Sequence, residues 1–216
     1  MFIGHIAVGL ASKRLAPEVS LGTLIGAPLL LDLIWPIFLL LGIETVRIEP
    51  GNTQVTPLDL HDYPYTHSLA CALAWSVFAA GVHHTLKKDQ RAAIVIGANV
   101  FSHWVLDFVT HRPDMPLYPG STKYVGLGLW NSRFATIAVE MPMFIIGAYL
   151  YARATKAKDN TGRYAYAALI AFLVVVYFAN IYGPPPPSAT AIALSALLLW
   201  LLVPWGRWID KHRSIS

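Results

Sequence analysis

Asn99, His103, Asp107 and His111 recur at every fourth residue. On a helix this spacing lays the side chains along one drifting stripe, and His103 and Asp107, one turn apart, can grip the same ion. Nitrogen and oxygen donors of this kind suit zinc, manganese or iron. His-x-x-x-Asp is common by chance, and its place near the end of an apolar stretch gives it weight. A second group is Asp62-Tyr63-Pro64-Tyr65-Thr66-His67-Ser68. Here Pro64 ends a loop, Thr66 or Ser68 caps the helix that follows, and His67 comes level with the end of the stripe. A third is Asp32 within Gly26–Pro36, where Pro28 and Pro36 imply a distorted helix that frees backbone carbonyls. Glu140 lies two residues before Pro142. The single Cys71 rules out an intrachain disulfide and a Cys-rich zinc site, so any metal must be held by His and carboxylates.

Blander readings compete with each of these. A lone acid in an apolar segment is often one buried hydrogen bond. An ionised acid in mid-bilayer costs about 2.5–3.5 kcal/mol. Asp32, Asp107 and Glu140 together, beside several histidines, favour a site. His67 can be an interfacial residue next to a cap. His83 and His84, beside Lys87 and Lys88, read as interfacial. Arg112 and Lys123 can engage an anionic headgroup, although solvation is their plainer account.

The elements that must position these residues are membrane helices. The chain has 216 residues, of which 56% are hydrophobic and 13% charged, about half the charged share of a soluble domain. Mean hydropathy is +0.52. Six apolar stretches are long enough, or nearly so, to cross a core of about 30 Å: Leu21–Ile43, Ser68–Leu86, Ala92–Val109, Phe134–Ala152, Tyr164–Tyr182 and Ala189–Trp205. The fold expected is all-α, a polytopic membrane helix bundle of about six spans plus a short N-terminal half-helix. It forms a single domain over residues 1–216, with 1–140 carrying the site and 141–216 supporting it. Phe2–Ala11 is too short to span; it either lies flat on the membrane or stands upright in the bundle, and His5 reaches the site in the upright case. Of the Lys and Arg residues, 12 fall on one side of this topology and 4 on the other. The positive-inside rule then places both termini in the cytoplasm and the long connections Glu44–His67 and Thr110–Arg133, with the His/Asp cluster, toward the outer face. The pI of about 9.2 is accounted for by this orientation, and no nucleic acid partner is expected.

His5, Asp32, Thr66-His67-Ser68 and His103-Trp104-Val105-Leu106-Asp107, followed by Pro113-Asp114-Met115-Pro116-Leu117 and Gly126 through Ser132, resemble the membrane-bound metal-dependent hydrolase family called LexA-regulated, or YdjM-like. The resemblance covers about residues 1–140. That family is thought to be remotely related to the zinc-dependent phospholipase C and single-strand nuclease superfamily, helical phosphoesterases with clustered zinc. The resemblance implies that Asp32, His67, His103 and Asp107 ligate one metal and that His5 with Asp107 holds a second. His111, Glu140 and Asn99 are further ligands or supports. One departure is Asp62-Tyr63-Pro64-Tyr65 where the family often has His-Arg-Gly-x before its Thr-His-Ser. A second, from the soluble enzymes of that superfamily, is the absence of their His-x-x-x-Glu pair, since Thr136 lies four residues before Glu140. Both departures favour one or two ions, zinc first and manganese as the alternative, over three.

The function expected is hydrolysis of a phosphoester, such as a membrane lipid headgroup or another amphiphile, by metal-activated water, with Asp32 orienting or deprotonating that water. A metal-ion or proton transporter is the runner-up, since intramembrane acids and histidines also form relays. A third reading is a non-catalytic membrane protein with a structural metal.

Overall fold

The structure, a computed structural model, describes residues 1–216. Its helices are α1 (Ile3–Ala11), α2 (Leu21–Gly26), α3 (Leu30–Leu40), α4 (Pro64–His67), α5 (Leu69–Lys87), α6 (Gln90–Thr110), α7 (Arg133–Ala154), α8 (Asn160–Tyr182), α9 (Ala189–Ala196) and α10 (Leu202–Lys211). A 3-10 turn over Leu197–Leu201 joins the last two into one rod. Six of the helices start alike. Ser20, Ser68, Asp89, Ser132, Asp159 and Ser188 each accept a hydrogen bond from the backbone N–H three residues on, which satisfies a donor that the helix leaves free.

Five helices are long and apolar enough to cross a membrane: Leu69–Lys87, Gln90–Thr110, Arg133–Ala154, Asn160–Tyr182 and Ala189–Lys211. The remaining expected span, Leu21–Ile43, is split into α2 and α3 around Ala27–Leu29. Pro28 sits at the break and withholds an N–H there. The all-α membrane bundle stands, with this first segment as a broken pair of short helices.

α1 is inside the bundle rather than laid on its surface. Ile3, His5, Ile6 and Leu10 have no exposed area. Small residues let its neighbours approach closely. A Cβ on Gly147 of α7 would lie 2.8 Å from Ala7 Cα, and one on Gly9 would lie 2.9 Å from Ile25 Cα. α2 and α10 cross in the same way, with Gly206 against Gly22. The core around α1 comprises Leu21, Leu33, Phe144, Leu169 and Leu173, all buried.

At one end, the two long connections fold over the helix ends. β1 (Thr45–Ile48) pairs antiparallel with β2 (Leu58–Asp62), and β3 (Met115–Pro116) with β4 (Tyr124–Val125). The two hairpin loops are tied together by Arg112 on Asp59 and by Gln54 N–H donating to Trp130 O at 3.2 Å. At the other, basic end, β5 (Thr155–Ala157) pairs with β6 (Arg213–Ile215). There Lys13 Nζ contacts Asp210 Oδ2 at 2.6 Å, and Tyr151 donates to Asp210 Oδ1 at 2.6 Å.

Candidate metal centre

Three elements converge where the long connections meet the helix ends. α6 carries His103 and Asp107 one turn apart, with His103 Nε2 3.0 Å from Asp107 Oδ2. α4 brings His67 Nε2 to 3.2 Å from His103 Nε2. α3 brings Asp32 Oδ1 to 3.5 Å from His67 Nε2 and 3.8 Å from His103 Nε2. His67 Nε2 lies 3.8 Å from Asp107 Oδ2. Tetrahedral ligands at about 2.0–2.2 Å from a metal stand roughly 3.3–3.6 Å apart. The pairs of these donors that include His67 or His103, spaced 3.0–3.8 Å, fit that spacing with small adjustments.

The far side of each ring decides where its proton sits. His103 Nδ1 donates to Pro28 O at 2.7 Å, an acceptor freed by the break between α2 and α3. Thr66 Oγ1 donates to Glu44 Oε2 at 2.7 Å, so the hydroxyl oxygen accepts from His67 Nδ1, also at 2.7 Å. His111 Nδ1 lies 3.1 Å from Asp114 Oδ1. Tyr63 donates to the same oxygen at 2.9 Å. Burial, and then the Asp114 carboxylate, push the Tyr63 phenol well above its ordinary value of 10, so it remains a donor. With a proton on each Nδ1, every neutral ring presents a lone pair at Nε2. Those of His67 and His103 point at each other at 3.2 Å, an arrangement that calls for a cation between them. The donor set therefore fits a divalent metal.

Asp107 is shared. Its Oδ2 faces His103, His67 and, at 3.7 Å, His111 Nε2. Its Oδ1 meets His5 Nε2 at 3.0 Å and the Met1 amino group. The His5 ring stacks on His103 with centroids 3.9 Å apart, and its Nδ1 is buried without a partner. His5, His103 and Asp107 thus form a second group of ligand atoms beside the first, Asp32, His67 and His103. A cavity of about 170 Å³ opens onto the cluster, lined by Asp32, Trp35, Tyr63, His67, Asp107 and His111 among others. Asp32 is the most open of the four donors, with its side chain 28% exposed.

Four of the expected residues lie elsewhere. Asn99 accepts from Ser12 Oγ at 2.8 Å, two turns from Asp107 and away from the cavity. Arg112 pairs with Asp59 and Asp114. Lys123 sits exposed in the turn between β3 and β4. Glu140 accepts from Phe2 N and Gly4 N at 3.1 and 3.3 Å and faces a neighbouring chamber. Sequence reasoning missed Glu44, Tyr63 and Asp114 as orienting groups. Glu44 also accepts from Tyr65 N and Thr66 N, a role that no local spacing announces. The Pro28 carbonyl was foreshadowed by the proline that breaks its helix.

A family model described as YdjM inner membrane protein matches residues 1–184. The chain belongs to that family. No curated protein and no solved structure matches it.

Proposed function

We propose that this member of the YdjM inner membrane protein family is a divalent-metal-dependent hydrolase acting on a phosphoester, such as a lipid headgroup, from within the membrane. One observation carries the reading: two histidine Nε2 atoms, each fixed as a lone pair by the hydrogen bond behind it, face one another at 3.2 Å between two carboxylates. A remote kinship with the zinc-dependent phospholipase C and nuclease superfamily is consistent with such a His/Asp set.

A divalent ion held by Asp32, His67, His103 and Asp107 would polarise a phosphoryl oxygen and make bound water more acidic. Asp32, open to the cavity, takes the proton of the attacking water as its oxygen bonds to phosphorus, and the proton passes to the leaving alkoxide as the ester P–O bond breaks. His5 and Asp107 supply donors for a second ion. Arg112 holds Asp59 and Asp114 and so steadies the His111 support rather than clamping the substrate. The distribution of 12 basic residues against 4 supports cytoplasmic termini with the site toward the outer face.

Purified protein is expected to carry about one to two zinc or manganese ions per chain, lost in His103→Ala and Asp107→Ala. Metal-dependent release of headgroup or phosphate from a lipid panel, abolished in Asp32→Asn, is the expected activity. Metal-free wild-type protein of normal stability would sink the reading. Ion flux in proteoliposomes that requires Asp32 would replace hydrolysis by transport.

A further inference from the structure

A second, larger chamber of about 470 Å³ adjoins the metal cavity, with Phe2, Leu58 and Trp130 lining both. Trp130 is the partition; on the metal side its ring lies 4.3 Å from that of His111. The chamber has the volume of a small-molecule site. Two buried groups in its lining have no part in the metal cluster. Glu140, 1% exposed, receives both of its backbone donors on Oε2 and leaves Oε1 free. The Tyr177 hydroxyl is buried with no partner at all. A buried hydroxyl without a hydrogen bond is costly, so at a cavity wall it calls for a partner that a ligand in the chamber can supply.

The lining selects the chemistry of that ligand. Of the charged side chains, one acid, Glu140, is set against one base, Arg133, whose Nε already donates to Gln54 O at 2.6 Å. This is neither an anion clamp nor a cation hole. Thr53, Gln54, Thr56, Asn180 and Ser195 also line the wall, polar side chains that suit a hydroxylated ligand better than an acyl chain. The hydroxyls of a polyol or sugar can donate to Glu140 Oε1 and exchange hydrogen bonds with Tyr177, and its C–H faces can pack on Trp130 and Phe2.

We propose that this chamber is the subsite for a polyhydroxylated portion of the substrate, with Glu140 and Tyr177 as its specificity-determining residues. Its placement as a substrate subsite rests on reading the adjoining cavity as the phosphoester site. Calorimetric titration of the full-length protein in amine-oxide micelles, which carry no sugar, tests it with dioctanoyl phosphatidylglycerol, dioctanoyl phosphatidic acid and glycerol 3-phosphate. Phosphatidylglycerol is expected to bind about tenfold more tightly than phosphatidic acid, the worth of roughly one well-made hydrogen bond. Tyr177→Phe and Glu140→Gln are expected to erase that difference while bound metal is unchanged. Tight binding of glycerol 3-phosphate would assign the polyol to a soluble source, and its absence to a lipid; both support the subsite. Equal affinity for the two lipids in the wild type, or a preference that survives in Tyr177→Phe, overturns it. Should Glu140→Gln fail to fold, Tyr177→Phe decides alone. A headgroup preference without hydrolysis of any lipid would remove the hydrolase reading and leave the polyol subsite in place.

Discussion

His67 and His103 are each held from behind: His103 by a main-chain carbonyl, His67 by a relay through Thr66 to Glu44. Glu44 touches no proposed metal position, yet it fixes the proton that frees His67 Nε2. Glu44→Gln is therefore expected to weaken metal binding by about 10–100-fold, read by competition with a chelating dye, with helix content unchanged by circular dichroism. Half of this site was legible in the sequence because it is local. His103 and Asp107 share a helix face one turn apart, and a four-residue spacing announces that. His67 and Asp32 could be singled out as polar residues in apolar surroundings. Glu44 and Tyr63 could not, because their partners Thr66 and Asp114 lie 22 and 51 residues away in the chain and no periodicity connects them. Asn99 lies on the same stripe as His103, but the stripe drifts, and its amide ends against Ser12.

The helices after Ser68 lie close to the expected stretches because long apolar runs mark them, although the last runs on past Trp205 to Lys211. Leu21–Ile43 reads as one span because hydropathy cannot tell a helix wrapped in lipid from two short ones wrapped in protein. The break is what brings Pro28 O to His103. The placement of α1 depends on close helix crossings that composition does not reveal. Gly147→Leu would drive a side chain into the Ala7 backbone and is expected to destabilise the fold by about 3 kcal/mol, displacing α1 and lowering bound metal along with the unfolding temperature. At the start of α8, Asp159 accepts from Gly162 N and meets His212 Nδ1 at 2.7 Å. The His212 hydrogen bond, then that of Gly162 N, holds its carboxyl below the ordinary 3.8. A depressed pKa contributes stability above 3.8 that is lost as pH falls through the lower native value. Asp159→Asn should remove that acid-limb dependence in a thermal-unfolding series from pH 5 to 2, lying below the wild type at pH 5 and converging on it toward pH 2.

Across the whole molecule, the two ends of the bundle are fastened differently. The long-loop end is closed by hairpins over the His/Asp cluster, and the basic end by Lys13, Asp210 and Tyr151. Lys13 is 4% exposed and also donates to Val19 O at 2.8 Å. Lys13→Met leaves Asp210 without its cation and is expected to cost about 3 kcal/mol, measured by unfolding in mixed micelles, while metal content per folded molecule stays at the wild-type level. Asp107 has a wider consequence. One of its oxygens faces ligands from α4 and α6, and the other faces α1. The nine residues of α1 cannot cross a bilayer unaided, so during biogenesis this segment must wait for its neighbours before it can leave the interface. The ion proposed at Asp107 would clasp this segment to α4 and α6. Cells starved of that ion would accumulate a chain with its longer helices inserted and its leading segment still undocked, open to the proteases that survey the membrane surface.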